Sequence, residues 1–376
     1  MNKGFSVSFL AVALLGFFVD RGDATTFTAG DLAVERIGDG SAVLTSSSFP
    51  VFVDTFHRTG TLQTAAQTIG LPNAASRPSS NPFNLTDSGS ATSNGYLSLS
   101  TNQQALVLPG YNGINGDASI AGSSTATISR TVGVIDFNQS VDTSRSLNML
   151  SGNNFRSVAS TNGTEFWAAG AGGLVYVSGA APGTATSLST TFNGRNVNIF
   201  NNQLYVSTGS GTRGIYSIGT GLPTSGTPTA TNLFDTGSSS SPFDFAFSPD
   251  GSTLYIADDR SVATGGGIQK WTLSGSTWSL AYTLGTGTGS TVGARGLAVD
   301  FSGANPVLFA TTAETSLDRL ITITDAGSGS AATTLATAPA NEIFRGVDFV
   351  PVPEPSSIVL AGVGLAGLGL TLMRRR

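Results

Sequence analysis

The 376-residue sequence has no cysteine, one histidine and two lysines, and only 11% of it is charged. Each scarcity excludes something. Without cysteine, neither disulfides nor thiolate metal centres hold the chain together. A Ser-His-Asp triad would have to use His57, yet no G-x-S-x-G elbow occurs. Zinc sites built from several His or Cys are ruled out. A helical bundle needs far more Glu, Lys, Ala and Leu. Nucleic acid needs clustered cations, and the arginines here are scattered.

What the chain has is small residues, including 48 glycines. They suit short strands joined by tight turns. One pattern recurs. Asn162-Gly-Thr-Glu-Phe166-Trp167, Asn202-Gln-Leu204-Tyr205, Asp250-Gly-Ser-Thr-Leu254-Tyr255 and Asn305-Pro-Val-Leu308-Phe309 each read as turn chemistry, then a large apolar pair. Asn-Gly and Asp-Gly favour the positive-φ turns of hairpins. A strand precedes each, opening at Phe155, Gly194, Pro242 and Arg295. A third follows, at Leu174, Gly214, Gly267 and Leu320, and then a weaker fourth, as at Thr184 to Leu188 or Trp278 to Thr283. Four antiparallel strands per unit of some 40 to 54 residues predict the blade of an all-β β-propeller. The hairpin Ser248 to Asp258 resembles lactonase-like and NHL-like propeller repeats.

The flanks fit the same scheme. An earlier unit runs from Gly95 through Ala105-Leu-Val-Leu to Phe137. Phe344 to Val350 reads as a first strand whose blade is completed by N-terminal strands at Leu32 to Ile37, Val51 to Phe56 and Thr61 to Thr68. Sharing one blade between the two ends closes the ring and removes free edges. Six blades are expected, or seven if residues 70–150 hold two.

Arg156, Arg195, Arg295 and Arg345 recur just before the apolar core of a first strand. Two readings stand. They ring one channel mouth and bind carboxylate or sulfate of an acidic polysaccharide, or they bridge blades through carboxylates such as Asp244, Asp300 and Asp348. Asp258-Asp259, Asp318 and Asp325 read as solvated loop charge, there is no EF-hand loop, and neither metal nor cofactor is expected. Leu233-Phe-Asp235-Thr-Gly-Ser resembles the aspartic protease motif, with Asp87-Ser-Gly-Ser as the second aspartate such enzymes need. The blade repeat runs through Asp235 and argues against it.

Both ends point to export. Lys3, an apolar stretch from Phe5 to Val19 and small residues at Gly22-Asp-Ala24 predict a signal peptide over 1–24, handled by signal peptidase and the general secretion machinery. Residues 351–376 read Pro-Val-Pro353-Glu354-Pro355, a 16-residue apolar run from Ile358 to Met373, then Arg374-Arg375-Arg376. This tail resembles the PEP-CTERM sorting signal. The resemblance implies recognition of Pro353-Glu354-Pro355 by exosortase, a membrane protease, in a Gram-negative bacterium. The run predicts a short transmembrane helix with its arginines on the cytoplasmic side, and the prolines are expected to hold the motif clear of the fold. Within the tail, Gly362, Gly364 and Gly367 mimic a dinucleotide fingerprint, but no βαβ unit has room to follow.

Between these ends lies a body of residues 25–350. Removing Lys3, Arg21 and Arg374 to Arg376 leaves 13 basic residues, and removing Asp20, Asp23 and Glu354 leaves 20 acidic, a net charge of −7. The expected product is a non-enzymatic protein of the cell surface or extracellular matrix that binds or organises exopolysaccharide in a biofilm. A metal-dependent propeller hydrolase or lactonase is the alternative, and an aspartic protease a remote one.

Overall fold

The computed structural model describes residues 25–179 and 181–353. The expected signal peptide, Glu354, Pro355, the C-terminal helix and Arg374 to Arg376 lie outside these residues. No described helix is long and apolar enough to cross a membrane.

The described chain is all-β. The first eight strands are β1 (Leu32–Ile37), β2 (Ser48–Phe56), β3 (Gln67–Gly70), β4 (Thr86–Ser88), β5 (Ser98–Leu99), β6 (Ala105–Tyr111), β7 (Arg130–Asp136) and β8 (Val141–Leu147). Then come β9 (Phe155–Ser160), β10 (Phe166–Gly170), β11 (Gly173–Ser178) and β12 (Thr184–Ser189), which form one antiparallel sheet in sequence order. The same order is repeated by β13 (Val197–Phe200), β14 (Gln203–Thr208), β15 (Gly214–Ile218) and β16 (Ala230–Asp235). It recurs in β17 (Pro242–Phe247), β18 (Thr253–Asp258), β19 (Gly267–Ser274) and β20 (Thr277–Leu284), and in β21 (Ala294–Asp300), β22 (Val307–Thr312), β23 (Arg319–Thr324) and β24 (Thr333–Thr337). The last strand is β25 (Ile343–Phe349).

These four separate sheets are the blades read from the repeated turns, and the fold is a β-propeller. Turn chemistry works as expected at Asp250-Gly251. Gly251 takes φ +71°, and the Asp250 carboxylate accepts from the Ser252 N–H and the Ser248 hydroxyl. A second repeated glycine has a steric cause. Gly173, Gly214 and Gly267 open the third strands of three blades at φ +135°, +152° and +135°. A Cβ there would meet a carbonyl oxygen of the fourth strand, that of Ser189, Phe234 or Leu284, at 1.9 to 2.3 Å.

The remaining strands form one nine-stranded sheet, so counting separate sheets does not reach six blades. Within it β25, β1, β2 and β3 lie in a row, as do β5, β6, β7 and β8. The rows merge because β4 pairs with β2 on one side and with β6 on the other. The two ends of the body do share a sheet, with β25 antiparallel to β1 from Leu32↔Phe349 to Ile37↔Ile343. The strand expected at Thr61 to Thr68 is instead displaced to β3. Residues 57–66 form a loop held by the Gln63 side chain, which accepts from the His57 N–H and donates to the His57 and Thr59 carbonyls.

First strands pack against one another around the centre: β5 on β9, β9 on β13, β17 on β21, β21 on β25, and β25 on β5. Glycine permits the closest approach. A Cβ on Gly346 would sit 2.5 Å from the Leu97 nitrogen.

Candidate functional site in the central channel

The first strands give the channel two unlike ends. Their starting ends are plugged. Tyr96 (0% exposed), two residues before β5, and Phe243 (2%), on β17, meet with ring centroids 5.7 Å apart. The Arg195 guanidinium lies 4.1 Å from the Phe243 ring centroid and that of Arg295 5.9 Å away.

All four sequence-predicted arginines sit at this plugged end. Arg156 donates to the Asn193 side chain at 2.6 Å and the Gly194 carbonyl at 2.8 Å, in the next blade. Arg195 donates likewise to Ser241 Oγ and the Pro242 carbonyl. Arg295 pairs with Asp259 at 3.2 Å. Arg345 is 1% exposed and donates through Nη2 to the Gly89 carbonyl, while its Nε and Nη1 have no partner. Burial pulls Arg156 down to about 10, and the neighbouring charge of Arg195 adds to the effect. The carboxylates proposed to bridge them do other work. Asp300 pairs with Arg58 at 2.6 Å, and Asp244 and Asp348 accept backbone N–H groups.

Beside Arg345 lies a buried acidic group the sequence reading missed. Glu35 is 0% exposed and neither carboxyl oxygen has a partner. Burial raises it well above the usual carboxylate range and nearby Asp87 raises it further, against the lowering effect of Arg345. Burial likewise pushes Asp87 up to about 7 and Asp318 up to about 8.

The opposite end is open. A cavity of about 210 Å³ lies between first strands of several blades, floored by Asn196, Asn198, Ser98, Asp244 and Asp348. A second, of about 290 Å³, shares Ser98, Asn198 and Asp348 with it and extends to Gln103. Asp244 accepts from the N–H groups of Phe245 (2.8 Å) and Leu297 (3.0 Å), and Asp348 from those of Phe349 (2.8 Å) and Leu99 (2.7 Å). Each carboxylate thus fastens one inner strand to another, Asp244 from β17 to β21 and Asp348 from β25 to β5. Burial lifts Asp348 to about 6 and Asp244 well above the usual range.

Around this mouth stand Phe200, Phe247, Phe301 and Phe349, all half-buried, at or just past the ends of β13, β17, β21 and β25. Phe200 and Phe247 are stacked at 4.8 Å and 17°. The available signal was a phenylalanine closing each of these first strands. Loops and strand ends on this side carry Asp31, Asp136, Glu165, Asp250, Asp300 and Asp325. Arg58 and Lys270 at this end are already paired, with Asp300 and Asp325.

Other candidates fall apart. Asp235 is exposed at the end of an outer strand, whereas Asp87 is buried on β4 against Asn94, so they share no proton. His57 is exposed and lies 2.9 Å from Asp31. Asp258 is held by Arg260, and Asp325 by Lys270, Tyr255 and Tyr282. Among the described residues no group of three His, Cys, Asp or Glu is placed to hold a metal.

The start of the tail departs from expectation. Pro351 is buried, and the Val352 N–H donates to the Gln103 carbonyl at 2.8 Å. Pro353 borders a cavity with Gln104, Asp136, Phe137 and Asn138. A free hydrogen-bond acceptor on the adjacent hairpin captures the chain, so it is docked rather than held clear as far as Pro353.

No curated protein matches this chain significantly. Solved structures do, at low similarity. A periplasmic gluconolactonase from Pseudomonas aeruginosa is 15% identical over 81% of this chain and 83% of its own, with a TM-score of 0.45. A candidate 6-phosphogluconolactonase from Bacteroides uniformis is 13% identical over 84% and 99%, at 0.42. A protein from Lactobacillus plantarum is 10% identical over 85% and 99%, at 0.47. Likeness at this level carries no argument about activity. Residues 351–376 match the model of the PEP-CTERM protein-sorting motif. The chain is therefore an all-β propeller that carries a PEP-CTERM sorting motif, which implies export, a C-terminal anchor and processing by exosortase.

Proposed function

We propose that this exported protein is a six-bladed propeller of the cell surface or matrix that binds a neutral saccharide polymer at its open channel mouth and catalyses nothing. The six-blade count is supported by the two four-strand rows inside the nine-stranded sheet, which β4 alone staples together, and by the six first strands packed around the centre.

The binding reading rests on one observation: four half-buried phenylalanines around a cavity floored by amides, a serine hydroxyl and carboxylates. A pyranose has apolar C–H faces and polar hydroxyl edges, so phenyl faces with a few fixed polar groups suit it. The acidic loops repel polyanions, which favours a neutral polymer. The arginines, buried and bonded at the far end, fit an architectural role.

Against the lactonase alternative stand the carboxylates, each already accepting two backbone N–H groups. The test is calorimetric titration of the body, residues 25–353, with neutral and acidic polymers of the producing strain. Binding of the neutral polymer that is lost in Phe247→Ala supports the reading. No binding by either polymer, or a preference for the acidic one, overturns it.

A further inference from the structure

We propose that the open channel mouth faces the membrane for as long as the sorting tail is attached, so that cleavage of the tail uncovers it. Only the consequence for ligand access rests on the saccharide reading above. The orientation itself rests on where the chain leaves the fold.

That exit lies at the mouth. β25 ends at Phe349, one of the mouth phenylalanines. The Val350 N–H then donates to the Asp31 carbonyl at 3.1 Å and the Val352 N–H to the Gln103 carbonyl at 2.8 Å. Gln103 also lines the channel cavity. The chain is thus pinned to the mouth rim up to Val352.

The remaining tether is short. The sequence places four residues, Glu354 to Ser357, between Pro353 and the apolar run that begins at Ile358. Fully extended they reach about 14 Å. Four strands at roughly 4.8 Å spacing make one blade alone about that deep, so a body with a blade on either side of its channel is too wide to turn over on such a leash. The acidic mouth loops are also repelled by an anionic lipid surface, so nothing but the tether holds this face there.

The absence of cysteine makes the test clean. Ala304 and Ser316 are exposed and lie in loops at opposite ends of β22, Ala304 at the mouth end. Single variants Ala304→Cys and Ser316→Cys of the full chain, reconstituted in vesicles of phosphatidylethanolamine and phosphatidylglycerol, carry a fluorophore that headgroup spin-labelled lipid quenches. The expected result is quenching at least threefold stronger at position 304. A 20-residue Gly/Ser insert after Val352 should abolish the difference. Equal quenching at both positions, stronger quenching at 316, or a difference that survives the insert would overturn the proposal. Asn305→Cys and Thr315→Cys form a second pair should a variant fail to fold. No ligand enters this measurement, so its failure is separable from failure of the saccharide reading.

Discussion

Tyr96, just before β5, and Phe243, on β17, close the channel by touching each other, 5.7 Å between centroids at an interplanar angle of 51°. Tyr96 also donates its hydroxyl to the Thr92 carbonyl. Tyr96→Ala should cost about 3–5 kcal/mol, since a large buried ring leaves a cavity between rigid strands. Tyr96→Phe should cost about 1 kcal/mol, the hydrogen bond alone. Urea unfolding of the two variants measures both.

Asp244 is a fastener rather than a reactive group. Asp244→Ala leaves the N–H groups of Phe245 and Leu297 without acceptors and should destabilise by about 2–4 kcal/mol. Asp244→Asn keeps one acceptor oxygen and should lose about half as much. A larger loss in the Asn variant than in the Ala variant would contradict this role.

Stability should fall as pH rises from mildly acid through neutral. Asp348, Asp87 and Asp318 have folded pKa values of about 6, 7 and 8, above the ordinary value of roughly 3.9 in an unfolded chain. Between pH 4 and 8 the folded state therefore holds more protons than the unfolded one, and stability is lost as pH rises through that window. Asp142 and Asp300, whose values are lowered, act below it. The urea midpoint should be higher at pH 5 than at pH 8.5, with a shallower slope in Asp318→Asn and Asp348→Asn.

The body should tolerate loss of its tail but not of its last strand. A chain of residues 25–350 should unfold cooperatively. One ending at residue 342 lacks β25, exposes the edge of β1 and should aggregate or stay unfolded, as circular dichroism and gel filtration would show.

At the mouth, Phe247→Ala should weaken saccharide binding about tenfold or more while the channel plug stays intact, because Phe247 is half-exposed and stacked on Phe200. Unchanged affinity in Phe247→Ala and Phe301→Ala alike would place any ligand elsewhere.

The blades were legible because a positive-φ turn followed by a large apolar pair is a local signal, as at Asp250-Gly251 before Leu254-Tyr255. So was the arginine position at the start of the first strand. What the guanidinium groups bond was not legible, because their partners, such as the carbonyls of Gly194 and Pro242, are backbone atoms of another blade. The phenylalanine mouth was missed for a different reason. Counted from the equivalent residues Pro242 and Ala294, which open β17 and β21, the phenylalanine falls five residues on at Phe247 but seven on at Phe301, so a repeat read at fixed offsets passes over it. The isolation of Glu35 was invisible too, because only folding removes its water.

The pairing of β25 with β1 has a mechanical meaning. A pull on Val350 along the strand loads the hydrogen bonds between Leu32↔Phe349 and Ile37↔Ile343 side by side rather than one after another. Bonds loaded in shear share the force, whereas a peeled hairpin breaks its bonds singly. The protein is thus tethered through a strand whose bonds to β1 bear tension together.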